Sequence, residues 1–494
     1  DHFSDLNLDQ ITGAAMADYE KYDLARHYYT AIHDTDVISY RQEAMKELEK
    51  PGVLDAVKPI CEILAAVSRL QPKLESSLLG EGPMENNAMT KGQYLNAAIK
   101  YIVALQDYAD RADALGLSSG ALKGFADYVK ELFETPGWKS FLEHAARVRA
   151  SFDALNYCML VKDSKIRLRK YEEQEDESEY IRELFSKFAA GETKDYRQKL
   201  NENAIAYHVE SGILELLVKM YPDEFKDLTD LTKLFPHFLD SVCERFALEM
   251  QFYFSYLDYI APIRLAGRNF CYPVIAAQGD RIEAVDSYDL ALAHSRLSAG
   301  MPVVNGFYLE GKERVIVVTG PNQGGKTTFA RSIGQMLHLF MTGLCVPGTR
   351  AVLPPVSHIF THFEKEENVE NGAGKLMDDL ERIKPMLDAA DKDSFFIVNE
   401  IFASTTLDDA TAISRQVMQK LLDTGARAIW VTFIDEMAEY GPEIVSMMSM
   451  VDDSGSEKRT FRIERKSADG LAHAMYIAKK HALTYEQLMG RLRA

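Results

Sequence analysis

Cysteine is scarce and scattered in this 494-residue chain: Cys61, Cys158, Cys243, Cys271 and Cys345 are odd in number and share no CxxC spacing. That pattern argues against a disulfide-stapled module and reads as reduced thiols in a cytoplasmic protein. No run of 18 consecutive apolar residues occurs, which excludes an ordinary membrane-spanning helix and predicts no membrane partner. The sequence opens at Asp1 without a charged-then-apolar leader, so no secretory signal is visible. Basic charge is also in deficit. The net charge is −19, of which residues 1–265 carry −14 and residues 266–494 carry −5. A surface that grips a duplex gains affinity by neutralising phosphates, so the first 265 residues are poorly suited to wrapping DNA, a local patch apart.

Glycine and proline are sparse in the first 265 residues and cluster at Pro51-Gly52, Gly80–Pro83 and Pro136-Gly137. The chain is too long for one ordinary core, so two or three domains are expected. Apolar periodicity predicts that residues 1–265 are almost wholly helical. Lys165–Tyr171 alternates apolar and basic residues and admits a short strand, and the acidic run Glu172–Glu179 reads as a solvated turn rather than a metal site. The clearest helix runs from Pro236 to about Ala261, with Pro236 in its first turn and Pro262 as its stop. Leu239, Cys243, Phe246, Met250, Tyr253 and Leu257 form its apolar seam, as in a coiled coil. A long core helix packed against its neighbours is the favoured reading.

After Pro262, short β-rich runs alternate with amphipathic helices, the pattern of a parallel sheet covered on both faces. Strands are expected at Arg314–Thr319, Ser394–Val398, Ala428–Thr432 and Arg459–Arg465. Helices are expected from Lys326 and around Ala410–Leu421, and again over the last 25 residues. The Met447, Met448, Met450 cluster reads as core filling. His358 and His362 stand four apart without a suitably spaced third ligand, so no zinc site is read there.

One motif carries chemistry. Gly320-Pro321-Asn322-Gln323-Gly324-Gly325-Lys326-Thr327 fits G-x-x-x-x-G-K-[ST] between an expected strand and helix, the context of a P-loop. Glycines let successive backbone N–H groups face phosphate oxygens, and the helix N-terminus favours the anion. Lys326 would reach the β- and γ-phosphates and Thr327 would offer its hydroxyl to Mg²⁺. Downstream, the hydrophobic strand Phe395–Val398 ends in Asn399-Glu400, where such enzymes hold a metal carboxylate and a catalytic base. Asn399 brings an oxygen without charge, and Glu400 is the candidate base.

These residues resemble the ATPase domain of the MutS family of DNA mismatch repair proteins. Val318–Thr328 is similar to the family loop T-G-P-N-x-G-G-K-S/T-T, which adds Thr328 to the candidate nucleotide-binding residues. Asn399-Glu400-Ile401, Thr405-Thr406 and Asp409 follow its D-E-I-G-R-G-T-S-T-x-D block, and Ile359-Phe360-Thr361 its I-F-T-R segment. Ser467 through Gly470 to Leu488 resembles its subunit-contact tail. Tyr40–Glu43 and Tyr256–Ile260 resemble its core and lever. The resemblance implies an all-α core/lever region over 1–265, then an α/β P-loop NTPase (ABC-like) domain over 266–494 with a helical C-terminal tail. It implies ATP or ADP with Mg²⁺ held by Thr327 and Asn399, Asn305 and Phe307 beside the adenine, and a homodimer through the ATPase domain. DNA and a repair or recombination protein are the implied further partners.

The likeness is to a reduced relative without the N-terminal mismatch-binding domains. Phe141-Leu142-Glu143 fits the family's F-x-E wedge, but within an expected helix, so it reads as coincidence. Three departures bear on turnover. Asn399 replaces the metal aspartate, Gly374-Lys375 stand where the family has Ser-Thr reaching the partner's nucleotide, and Phe433 takes the place of a switch histidine. Two readings stay open: a slowly hydrolysing MutS-like ATPase acting on mismatched or branched DNA, and a nucleotide-gated protein-interaction module with little or no turnover.

Overall fold

The computed structural model describes residues 2–80, 88–162, 165–172, 205–277, 281–364, 374–451, 459–468 and 489. By packing, the chain divides into two units. One comprises residues 1–50, 119–121 and 251–494; the other comprises 51–118 and 122–250. The division falls inside a helix, at Met250/Gln251, and returns the first fifty residues to the C-terminal part, where the sequence reading drew a single boundary at 265.

Four short helices open the chain: α1 (His2–Asp5), α2 (Leu8–Met16), α3 (Ala25–Tyr29) and α4 (Thr35–Leu48). Asp34 caps α4, accepting from the amides of Asp36 and Val37. Next comes the helical unit, with α5 (Val53–Leu78), α6 (Ala88–Ala114), α7 (Leu122–Glu134), α8 (Pro136–Asp153), α9 (Ile205–Met220) and α10 (Pro222–Leu234). Its core is aromatic. Tyr94, Tyr101 and Tyr108 recur every two turns of α6 and are buried, and Phe125 stacks on Phe246 with centroids 3.7 Å apart. Phe141 sits in this core edge-on to Trp138, which fixes Phe141-Leu142-Glu143 as helix packing rather than a wedge.

This unit is helical but not all-α. An antiparallel hairpin of β1 (Tyr157–Lys162) and β2 (Lys165–Lys170) lies between α8 and α9. The alternating apolar and basic residues there have strand periodicity, and cross-strand pairing satisfies their backbone groups. The acidic run from residue 173 onward lies outside the described residues.

The long helix α11 runs Ser241–Leu265, not from Pro236. Asp240 accepts from the amides of Val242 and Cys243 at 2.9 and 3.1 Å, so a side-chain cap sets the start. Pro262 falls within its last turn rather than ending it.

In the other unit short strands build three sheets. β3 (Phe270–Cys271) pairs with β8 (Val346–Pro347). A four-stranded sheet has the order β4 (Val274–Ile275), β9 (Arg350–Leu353), β5 (Ile282–Ser287), β6 (Asn305–Leu309). The main sheet has six strands in the order β10 (Ile359–His362), β11 (Phe395–Asn399), β12 (Arg427–Val431), β7 (Val315–Thr319), β13 (Ile444–Val451), β14 (Arg459–Arg465). All neighbours in it run parallel except β13 and β14. Every residue of β7 and β11 is buried, as expected where helices cover both faces. The covering helices include α13 (Lys326–Met341), α14 (Lys375–Ala389) and α15 (Leu407–Thr424), with the short α12 (Leu290–Ser295) nearby in sequence. The chain is therefore a helical region with an α/β domain. The expected C-terminal helices, residues 469–488, lie outside the described residues.

The first fifty residues belong to this unit through specific bonds. The Gln335 amide on α13 donates to Leu6 O, and Arg331 donates to Asp5 O, each at 2.9 Å. Thr361 donates to the Asp5 carboxylate at 2.7 Å. Tyr28 and Ser255 share a hydrogen bond of 2.7 Å, and Tyr19 donates to Asp258 at 2.6 Å. Helical periodicity announces that such segments are amphipathic but not which surface they cover.

Candidate functional site

β7 and β11 end side by side but for β12 between them, and the carboxyl ends of parallel strands are where such sheets hold ligands. β7 runs into the Gly320–Thr328 loop and α13. Three loop residues have positive φ: Gly320 (108°), Gln323 (60°) and Gly325 (92°). Glycine is needed at Gly320 and Gly324 for space as well. A Cβ on Gly320 would meet the backbone of Ser449 on β13 at 3.1 Å, and one on Gly324 would meet Pro321 O at 2.9 Å and crowd Ser449. Ser449 Oγ in turn donates to Gly324 O at 2.8 Å. The loop is thus clamped on β13 while its glycines supply the curl.

Lys326 opens α13 and is 3% exposed. Its ammonium donates to Gly320 O at 2.7 Å, with Asn322 Oδ1 at 3.3 Å and Pro321 O at 3.4 Å. Burial lowers its pKa, and the nearby carboxylates of Glu400 and then Asp435 work against that shift. Glu400 Oε1 lies 3.9 Å from Nζ. Thr327 Oγ1 donates to Asn399 Oδ1 at 2.8 Å. A hydroxyl and a carbonyl oxygen therefore sit together at the mouth of the loop. That oxygen pair suits a small hard cation that keeps most of its water and bridges to phosphate, so the residues present fit Mg²⁺.

Beside the loop lies a cavity of about 500 Å³. Of the residues singled out from sequence, it is lined by Gln323, Gly325, Lys326, Thr327, Thr328, Asn305 and Glu400. Gly320, Pro321, Asn322 and Gly324 form the body of the loop, and Asn399 is buried at the end of β11. Phe307 is not on the cavity: it is buried in the four-stranded sheet opposite Ala284. Asn305 lines the cavity and also ties β14 down, donating to Phe461 O at 3.1 Å and accepting from the Ile463 amide at 2.8 Å. Lys375 pairs with Glu364 of its own chain, and Phe433 is exposed. His358 stacks on Phe360 and His362 is buried beside Asp379.

Sequence reasoning missed much of the remaining wall, including Ser287–Asp289, Arg296, the Gly300–Val303 loop and Phe461. Asp289 had a readable signal, since it caps α12 by accepting from the Leu292 amide. Phe461 had none. It takes φ 56° on an edge strand, and its ring would stand 3.5 Å from a Cβ on Gly325. A helix N-terminus, a buried lysine and a cavity of this size together suit a ligand with a multiply charged anionic end and a flat or apolar body.

Residues 316–484 match the family model for MutS domain V. Among curated relatives, the Endonuclease MutS2 of Thermus thermophilus is 26% identical over 188 residues, 38% of this chain and 25% of the relative. The DNA mismatch repair protein MutS of Thermotoga maritima is 25% identical over 177 residues, 35% of this chain and 22% of that protein. The Endonuclease MutS2 of Leuconostoc citreum is 28% identical over 232 residues, 46% and 28% respectively. The matched part spans about a quarter of the length of these relatives.

Proposed function

With its MutS domain V at residues 316–484, the chain is a member of the MutS family, and we propose that it is an ATP-binding, slowly hydrolysing homodimer acting in DNA repair or recombination on mismatched or branched DNA. The observation that carries the reading is Lys326, buried in the curl of a glycine loop with Glu400 3.9 Å from its ammonium. A buried cation at a helix N-terminus is a site for phosphate. In this reading Gln323–Thr328 hold the phosphates, and the Asn305 side of the cavity takes the base. Thr327 and Asn399 hold Mg²⁺, which when bound neutralises phosphate charge. Glu400 accepts a proton from the water that attacks the γ-phosphate, and ADP leaves with the cleaved bond's electrons.

A nucleotide-gated interaction module with little turnover is favoured by one feature, the Thr327–Asn399 bond. It puts a neutral amide where a carboxylate would add charge to the metal site.

Steady-state hydrolysis of ATP, with and without DNA, separates the two. On the first reading the wild type turns over, Lys326→Ala loses nucleotide binding, and Glu400→Gln binds while kcat falls about 10²–10⁴-fold. Tight binding without turnover in the wild type, with turnover gained by Asn399→Asp, selects the second.

A further inference from the structure

The candidate base sits on a turn that non-glycine residues seldom make. Glu400 has φ 53° and Phe402 has φ 64°, both in the left-handed region. The family block D-E-I-G-R-G-T has glycine where this chain has Phe402. Such a conformation persists only when its surroundings hold it, and two hydrogen bonds do so here. The Glu400 amide donates to Val431 O at 2.9 Å, prolonging the strand ladder. The Phe402 amide donates to Asp379 Oδ2 at 3.2 Å, within the core.

Asp379 comes from α14 and is 7% exposed. Its other oxygen, Oδ1, lies 3.2 Å from Nε2 of His362, at the end of β10, which is 1% exposed. That contact falls short of hydrogen-bond alignment, and neither ring nitrogen of His362 has a hydrogen-bond partner among the described residues. Ile383, one turn further along α14, and Ile401 and Phe402 on the turn are all buried in one apolar cluster. A carboxylate among such neighbours is costly unless it is bonded and its charge faced. A core that needed only volume there would use an apolar side chain.

We propose that Asp379 is a positioning residue for Glu400. Through the Phe402 amide it holds the left-handed turn that aims the Glu400 carboxylate into the cavity beside Lys326, and His362 seats Asp379. The inference rests on Glu400 being the base of the proposed hydrolysis. Three elements distant in sequence, the end of β10, the first turns of α14 and the turn after β11, thus meet to fix one side chain. Without the acceptor, Phe402 relaxes toward an ordinary conformation and Glu400 is carried off line. A small misplacement of a catalytic group costs rate far more than it costs binding.

The test uses the full chain, with Asp379→Ala, Asp379→Asn and His362→Gln compared with wild type in three measurements. These are binding of a fluorescent ATP analogue, steady-state hydrolysis, and amide hydrogen exchange in the peptide spanning Glu400–Phe402. Asp379→Ala is expected to bind nucleotide as wild type does, to lose about a hundredfold in kcat, and to exchange faster in that peptide but not in β7. Asp379→Asn keeps an oxygen for the Phe402 amide and is expected to retain most of kcat and slow exchange. His362→Gln falls between them. Unchanged kcat and exchange in Asp379→Ala overturn the proposal, and equal losses in the Ala and Asn variants overturn the role of the Phe402 bond. If Asp379→Ala fails to fold, His362→Gln decides: wild-type kcat and exchange there overturn the seating role. A wild type that binds ATP without turnover refutes Glu400 as a base. The exchange data then show separately whether Asp379 pins the turn.

Discussion

Phe402 sets two demands against each other at a single residue. Its backbone is in a conformation that glycine would adopt without strain, while its ring is fully buried among Phe396, Met418 and other core residues. Relief of the strained φ is worth roughly 1–3 kcal/mol. Losing a buried phenyl ring costs about 3–5 kcal/mol, and glycine adds about 0.5–1 kcal/mol of backbone entropy. Packing wins. Phe402→Gly is expected to lower stability by about 2–4 kcal/mol in denaturant unfolding, and a stabilised variant would show that strain dominates. The same competition explains why the turn escapes sequence reading: Asn399-Glu400 announces a strand end, but a bulky aromatic gives no hint of positive φ.

At the scale of elements, α13 does two things. Its first residues, Lys326 and Thr327, face the cavity. Its body, almost wholly buried, packs between the sheet and the first helices. Gly334 marks where those surfaces close. A Cβ there would stand 2.6 and 2.8 Å from the two methyls of Leu6 and would also crowd Ile397 on β11. Alanine in mid-helix gains about 1 kcal/mol over glycine, whereas overpacking costs about 1–3 kcal/mol, and both crowded side chains are themselves fully buried. Gly334→Ala is therefore expected to destabilise by up to about 2 kcal/mol, read as a lower melting temperature. A rise would mean that α13 can shift without cost. The main strands were legible because continuous β-branched and apolar runs have one reading when bounded by turns, and β14 was found from its alternation. The start of α11 was misread because Pro236 and Asp240 both signal a helix start, and the observed bonds from Asp240 settle it.

Across the whole molecule the sequence was least informative about which parts pack together. The Gly320–Thr328 loop, Asn399 and Glu400 could be singled out because the chemistry proposed for them demands particular residue types at particular spacings. That α1 lies on α13 and α2 against α12 could not, since any amphipathic helix offers the same stripe. The packing leaves a pH signature. His338 on α13 is buried, with Nε2 2.7 Å from Tyr28 O, and burial pushes its pKa down to about 4 from 6.5. Burial also lowers those of His2 and His27. The neutral form is the folded form, so its contribution is complete above pH about 6.5 and is lost as pH falls toward 4, by about 3 kcal/mol for His338. Urea unfolding between about pH 7 and 4 should show that loss. His338→Gln, which keeps a donor for Tyr28 O, should lose correspondingly less; parallel curves for the two would remove His338 as the cause.

The bond from Gln335 to Leu6 spans 329 residues of sequence. A ribosome extends a chain at about 5–20 residues per second, so Leu6 is made roughly 16 to 66 seconds before its partner. For that interval α1 to α4 have no sheet to cover, while the helical residues 51–118 and 122–250 are synthesised in full. The apolar surface of α1 to α4 therefore stays uncovered by its eventual partner until synthesis has passed the whole of residues 51–118 and 122–250.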